Sequence, residues 1–204
     1  MKKSNSVFLI LNGKAPKSYP KLDDYSLVCA TDGALTTLKS NGVEPDLVFG
    51  DFDSVDPIPD ETEIVLTQDQ EYTDFEKTLA LLHESGYQNI DVFGASGEEQ
   101  DHFLGNLHVA LAWKDKLQLN FFDDYGHYQF IPNQFEMNDV LNKTISLFPF
   151  PKATNITSHG LEFELIHTNL ELGVRVGTRN RAIKDQVRIE FSEGNLLVFI
   201  QERT

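Results

Sequence analysis

Aspartates recur in this sequence just beyond short apolar runs that have the length of β-strands. Asp32 follows Leu27–Ala30, Asp51 and Asp53 follow Leu47–Gly50, Asp74 comes at a short remove after Glu63–Leu66, and Asp101 lies beyond Ile90–Phe93. If these runs are parallel strands, their carboxyl ends share one edge, where open α/β sheets bind their ligands. Carboxylates gathered there repel one another and call for a cation. In Gly50-Asp51-Phe52-Asp53-Ser54, an extended backbone would point Asp51 and Asp53 to one side and Phe52 to the other. Such a pair suits Mg²⁺, which takes one or two carboxylates and completes its octahedron with water and phosphate oxygens. The plainer alternative is a polar turn ahead of Pro57 and Pro59.

The neighbouring residues carry weaker signals. Thr73-Asp74-Phe75-Glu76 reads as a capping box, in which Thr73 is first a cap and Asp74 a first-turn residue favoured by the helix dipole. Lys77, three residues on, is a surface partner for Asp74 on the same reading. Gly94-Ala95-Ser96-Gly97 before Asp101-His102 is a small-residue loop of the kind that lets phosphate approach backbone N–H groups. Ser96-Gly97-Glu98-Glu99 is a second possible capping box, which would start the helix earlier and place Asp101 inside it. The histidines lack zinc spacing, and no Gly-x-x-x-x-Gly-Lys-Ser/Thr loop occurs. The Asp51-Phe52-Asp53 pair is similar to that of haloacid dehalogenase-type phosphatases, but it follows the third strand rather than the first, against a covalent aspartyl mechanism.

The elements that must hold these residues alternate. Strands are expected at Val7–Leu11, Leu27–Ala30, Leu47–Gly50, Glu63–Leu66, Ile90–Phe93 and Leu117–Phe122. Helices are expected at Thr73–Ser85, with Phe75, Leu79 and Leu82 inward, and at Asp101–Trp113, with Leu104, Leu107, His108 and Leu111 inward. This alternation predicts a mostly parallel sheet with helices on both faces. Beyond Asp123-Asp124-Tyr125-Gly126 the pattern turns strand-like, at Tyr128–Ile131, Thr144–Phe148, Leu161–Ile166 and Gly173–Val176. A hairpin is expected to close the chain, Val187–Phe191 turning at Glu193-Gly194-Asn195 into Leu196–Ile200. The expected fold class is α/β, a Rossmann-like sheet domain followed by a small all-β domain.

The 204 residues suffice for a sizeable core, and a formal net charge of −15 argues against a nucleic-acid surface. Acidity either keeps the protein soluble or suits a cationic substrate, or an anion that arrives with its metal. Cys29 is the single cysteine, so no internal disulfide is possible. The apolar run after the N-terminus is too short for a signal peptide or membrane span, and a cytoplasmic protein is expected.

Four blocks in order resemble the thiamine pyrophosphokinase family, over nearly the whole chain. Thr31-Asp32-Gly33-Ala34 is similar to its Asp-Gly-Gly-Ala nucleotide turn. Pro45-Asp46 with Gly50-Asp51-Phe52-Asp53-Ser54 resembles its Pro-Asp…Gly-Asp-Phe-Asp-Ser block. Gln70-Glu71-Tyr72-Thr73-Asp74-Phe75-Glu76-Lys77 resembles its Gln-x-x-Thr-Asp-Phe-x-Lys segment, and Asp101-His102 with Asn106 its Asp-His…Asn helix start. The resemblance implies a nucleotide-binding catalytic domain over 1–124 and a thiamine-binding, dimer-forming β domain over 125–204. It implies a Mg²⁺-dependent homodimer that transfers the diphosphate of ATP to thiamine and releases AMP. By the same resemblance Asp51, Asp53, Asp74 and Asp101 hold Mg²⁺ and the reacting groups. Asp32, Gly33, Ser54, Ser96 and Lys77 fall on the nucleotide side, and Gln70, Thr73, Asp74 and Asn180 on the thiamine side.

Two departures stand out. Glu99 occupies the place of a family arginine that meets phosphate, and Arg179-Asn180 stands where the family has Ser-Asn. The expectation drawn from this swap is that Arg179, delivered from a neighbouring subunit, supplies the missing phosphate contact, with Lys77 second. The alternative is an ordinary surface arginine. Trp113 is expected in the first domain's core, so the family's aromatic over thiamine has no place by motif. Two rival functions remain open at this point: a Mg²⁺-dependent phosphohydrolase or nucleotidase, and a non-catalytic paralogue that binds thiamine or nucleotide.

Overall fold

The computed structural model describes residues 5–52, 63–66 and 71–202. The chain divides into two compact units, Met1–Asp124 and Tyr125–Thr204. The first is α/β. Its strands are β1 (Ser6–Ile10), β2 (Leu27–Thr31), β3 (Leu47–Gly50), β4 (Glu63–Leu66), β5 (Asn89–Phe93) and β6 (Gln118–Asp123). All pair in parallel, in the order β4-β3-β2-β1-β5-β6. Between them run α1 (Leu35–Ser40), α2 (Asp74–Glu84) and α3 (Gln100–Trp113).

The strands are apolar on both faces, as a sheet covered on both sides requires. Phe8, Ile10, Val28, Ala30, Val48 and Phe93 point to one face, where Leu35 and Leu38 of α1 close a core. The alternate residues serve the other face, where Phe75 of α2 meets Phe121 of β6 edge-on with ring centroids 6.2 Å apart. On the α1 face the Tyr25 hydroxyl donates to Asp91 at 2.8 Å, and Asn120 Nδ2 donates to the other Asp91 oxygen at 2.9 Å. Burial, with Asp91 beside it, pushes the Tyr25 phenol well above its ordinary value. Burial likewise raises the Cys29 thiol, which stays protonated and unreactive.

Helix α2 follows its expected pattern. Thr73 Oγ1 accepts from the Glu76 N–H at 3.2 Å, and Phe75, Thr78, Leu79 and Leu82 are buried. The inner face of α3 differs from expectation. Leu104 is 62% exposed and His108 is exposed, while Leu107, Val109 and Ala110 are buried. Apolar residues surround this helix, so its period admits more than one inner face. Trp113 lies half-buried between helices, its Nε1 donating to Glu76 of α2 at 3.4 Å and its ring beside His83.

The second unit is all-β: β7 (Gly126–Ile131), β8 (Gln134–Met137), β9 (Thr144–His159), β10 (Thr168–Glu171), β11 (Gly177–Arg181), β12 (Val187–Glu190) and β13 (Glu193–Gln201). Its order is β7-β13-β9-β12-β8, with β10 and β11 also on β9. The expected closing hairpin does not form. Strand β12 pairs with β8 and β9, and β13 with β7 and β9. Alternation marks which face is buried but not which strand lies alongside, and β9, at 16 residues, offers both partners. Neither Leu161–Ile166 nor Gly173–Val176 is a strand. Phe163 and Ile166 are apolar yet exposed, and the ladder strands β10 and β11 lie elsewhere.

Candidate active site

Strands β2, β3 and β4 build outward from one side of β1, and β5 and β6 from the other, so the strand order reverses between β1 and β5. In doubly wound sheets the crevice at that reversal, beyond the carboxyl ends, is the ligand site. Four loops meet along this edge, and each is tied to the next.

Asp32 ties the β2 and β3 loops. One of its oxygens accepts from the Gly33 N–H at 2.6 Å and the other from the Phe52 N–H at 3.1 Å. Gly50 is required beneath it, because a Cβ there would collide with the Asp32 carboxylate. Phe52 has φ +59°, a conformation that a bulky residue adopts only when its surroundings impose it. Burial of its ring in the α1-side core and the bond to Asp32 impose it. The backbone at Phe52 is therefore turned rather than extended. The argument from alternating side chains does not hold there; a turn braced by Asp32 presents the exposed Asp51 instead.

The β1 loop, which type and spacing had not marked, joins the rest. Leu11 N–H bonds Phe93 O at 2.9 Å, Gly13 N–H bonds Gly94 O at 2.7 Å, and Lys14 N–H bonds Ser96 O at 2.8 Å. Gly13 and Gly94 permit this approach, since a Cβ on either would strike the backbone of the opposite loop. On the β2 side Gly33 abuts the Asn12 side chain. On the β5 side Asn106 Nδ2 of α3 donates to Ala95 O at 2.9 Å. The signal available in advance was the pair of glycines after two predicted strands.

The remaining candidates are placed as follows. Asp74 pairs with Lys77 at 2.7 Å, and the Lys77 side chain is largely buried. Helix α3 begins at Gln100, which leaves Asp101 in its first turn. Its carboxylate accepts from the His102 N–H at 3.0 Å. Glu99 turns toward His102, 3.5 Å away. Asp53, Ser54 and Gln70 lie outside the described residues. Among the described residues no group of three His, Cys, Asp or Glu side chains is placed to hold a metal. Mg²⁺ asks for only one or two carboxylates, so the exposed Asp51 carboxylate beyond β3 suits it, whereas zinc would want nitrogen or sulfur.

In the β unit, Asn180 is committed to backbone. Its Oδ1 accepts from Phe163 N–H at 3.1 Å and Arg181 N–H at 2.9 Å, and its Nδ2 donates to Phe163 O at 2.7 Å. Beside it Arg181 forks onto Glu162 at 2.9 and 3.0 Å. The segment is thus held beside β11 both by the Asn180 side chain and by a backbone bond from Glu162 N–H to Arg181 O at 2.8 Å, and it presents Phe163 71% exposed. Arg179 has φ +57°, and its N–H donates to Ser146 Oγ at 2.9 Å. It makes no ion pair among the described residues.

Comparison with known proteins accords with this arrangement. A Bacillus subtilis thiamine pyrophosphokinase is 27% identical over 188 residues, covering 86% of this chain and 87% of that protein. Thiamin pyrophosphokinase 1 of Caenorhabditis elegans is 27% identical over 180 residues, covering 80% and 74%. Among solved structures, the Bacillus subtilis enzyme superposes with a TM-score of 0.82 at 24% identity, covering 97% of this chain and 100% of that one. Yeast thiamin pyrophosphokinase superposes with a TM-score of 0.84 at 15% identity, covering 98% and 87%, a likeness of fold. Residues 20–121 match the thiamin pyrophosphokinase catalytic domain, and residues 132–196 match the vitamin B1 binding domain of the same family. With both domains matched in order across most of its length, the chain belongs to the thiamin pyrophosphokinase family.

Proposed function

We propose that this protein transfers the diphosphate group of ATP to the primary alcohol of thiamine, giving thiamine diphosphate and AMP. The observation that carries the reading is the match of both family domains to a chain whose carboxyl edge presents Asp51 on a braced turn.

On this reading Asp51 and Asp53, with Asp74 and Asp101, hold Mg²⁺. Mg²⁺ held by these residues would supply electrostatic stabilisation of the charge that develops on the phosphoryl oxygens. The β2 and β5 loops, with Asp32, Gly33 and Ser96, shape the nucleotide side together with Ser54 after β3 in sequence. Lys77 holds Asp74 in place through their ion pair, and Arg179 is a further phosphate contact brought by a second subunit. Gln70, Thr73 and Asp74 line the thiamine side. Thr73 spends an acceptor on its helix and keeps its hydroxyl hydrogen to donate. Asn180 acts on thiamine through Phe163, whose ring offers a face to the cationic thiazolium. One of the carboxylates takes the alcohol proton as its oxygen attacks the β-phosphorus. Orientation and fixed charge supply most of the rate. The protein is cytoplasmic and acts as a homodimer without nucleic acid; no helix among the described residues is long and apolar enough to cross a membrane.

The test is incubation with ATP, Mg²⁺ and thiamine, resolving AMP, ADP and thiamine diphosphate. Thiamine-dependent AMP is expected, whereas thiamine-independent phosphate release would point to a phosphohydrolase. Asp51→Asn should lower turnover by about a hundredfold or more at unchanged melting temperature, because it removes a ligand and relieves repulsion. Near wild-type turnover at limiting Mg²⁺ would refute the metal assignment.

A further inference from the structure

A nucleotide polyphosphate carries more negative charge than one Mg²⁺ offsets, and this chain has a net charge of −15. Its binding edge therefore needs a basic side chain within reach. The Lys77 ammonium sits 2.7 Å from Asp74 on a side chain only 14% exposed, so its charge is already committed.

Lys14 is placed differently. It lies in the β1 loop at the point where the strand order reverses, and its N–H is fixed to Ser96 O at 2.8 Å. Its side chain runs over Gly97. A Cβ built on Gly97 would sit 2.7 Å from Lys14 Cβ and 3.3 Å from its Cδ. Gly97 has φ +91° and lies three positions before Gln100, the first residue of α3. The lysine stem thus lies along the small-residue loop that leads into that helix. Its ammonium is held loosely, 3.7 Å from Asp124, on a side chain 57% exposed. A contact of that length from an exposed lysine exchanges readily, and the Asp124 carboxylate, itself 14% exposed, keeps the Lys17 N–H at 2.8 Å when the ammonium leaves.

We propose that Lys14 is a nucleotide-binding residue, whose ammonium leaves Asp124 to meet the polyphosphate of ATP above the Ser96-Gly97 loop. The assignment rests on reading this edge as the ATP site. A flexible point charge on a fixed backbone can follow phosphate oxygens as they move during transfer. It also explains why the β1 and β5 loops are bonded together: the Lys14 backbone is anchored to the loop that its side chain serves.

The experiment compares Lys14→Gln, Lys14→Arg and Asp124→Asn with wild type. It measures KM for ATP and for thiamine, the affinity for a non-hydrolysable ATP analogue, and melting temperature. Lys14→Gln should raise KM for ATP and weaken the analogue about tenfold, the scale of one charge-assisted contact. KM for thiamine and melting temperature should hold, and Lys14→Arg should recover most of the loss. Asp124→Asn, which releases the ammonium, should leave ATP binding unchanged or tighter. An unaltered KM and analogue affinity in Lys14→Gln would overturn the assignment, as would an Asp124→Asn variant that matches its defect, because Lys14 would then act only as the partner of Asp124. Failure of the wild type to make thiamine diphosphate would instead defeat the underlying reading of the edge.

Discussion

At the scale of single residues, Asp32 separates position at a binding edge from contact with a ligand. It sits just past a strand end, as a nucleotide contact would, yet both its oxygens bind backbone N–H groups of two different loops. Residue type and spacing made it a candidate for the edge but could not distinguish these roles, because the partner N–H belongs to Phe52, twenty positions on. Its removal should act through Asp51. Asp32→Ala deletes two charge-assisted bonds and should cost about 2 kcal/mol or more of stability. It should also lower kcat well beyond any change in KM for ATP, since the turn carrying Asp51, the proposed Mg²⁺ ligand, loses its brace. Asp32→Asn, which retains one acceptor, should fall between. A variant whose KM for ATP rises while kcat holds would make Asp32 a nucleotide contact after all.

At the scale of elements, what was legible followed from local rules. The strands of the first unit lie within a residue of expectation, and α2 starts at its capping threonine, because apolar runs and caps are local signals. The inner face of α3 and the strand partners of β12 and β13 were not legible, because they depend on which neighbour wins. The join between the β1 and β5 loops is of the same kind: glycines are visible in sequence, but their mutual approach is not. That join is testable. In Gly13→Ala the new Cβ would fall against Gly94 O and within 2.8 Å of Ser96 O, both backbone, so the loops must separate. Melting temperature should drop by several degrees and KM for ATP should rise about tenfold. In Gly33→Ala the new Cβ meets only the Asn12 side chain, at 2.7 Å, which can swing aside. Equal effects from the two substitutions would mean that the β1–β5 join has no special part in holding nucleotide.

At the scale of the whole molecule, the proposed thiamine contacts are divided between the two units. Gln70, Thr73 and Asp74 belong to the first, while Phe163 and its mount Asn180 belong to the second. The second unit also exposes Ile166, Leu172 and Val174 shortly after Phe163 in sequence, and Ile183 further on. Single exposed apolar residues are ordinary, but such a concentration suits a surface that another subunit covers. If each site takes its first-unit residues from one subunit and Phe163 from its partner, two differently damaged proteins should repair each other. Asp51→Asn lacks the proposed metal ligand, and Phe163→Ala lacks the exposed ring without disturbing the core. Each homodimer should be nearly inactive. On equal mixing with subunit exchange, about half the dimers pair the two variants in a symmetric assembly, and each of these holds one intact and one doubly damaged site. Activity should therefore return to about one quarter of the wild-type level, and dilution below the dimer dissociation constant should abolish it. If every site is built within one subunit, mixing restores nothing and the diluted monomer keeps full activity, which would end the proposal of a shared site.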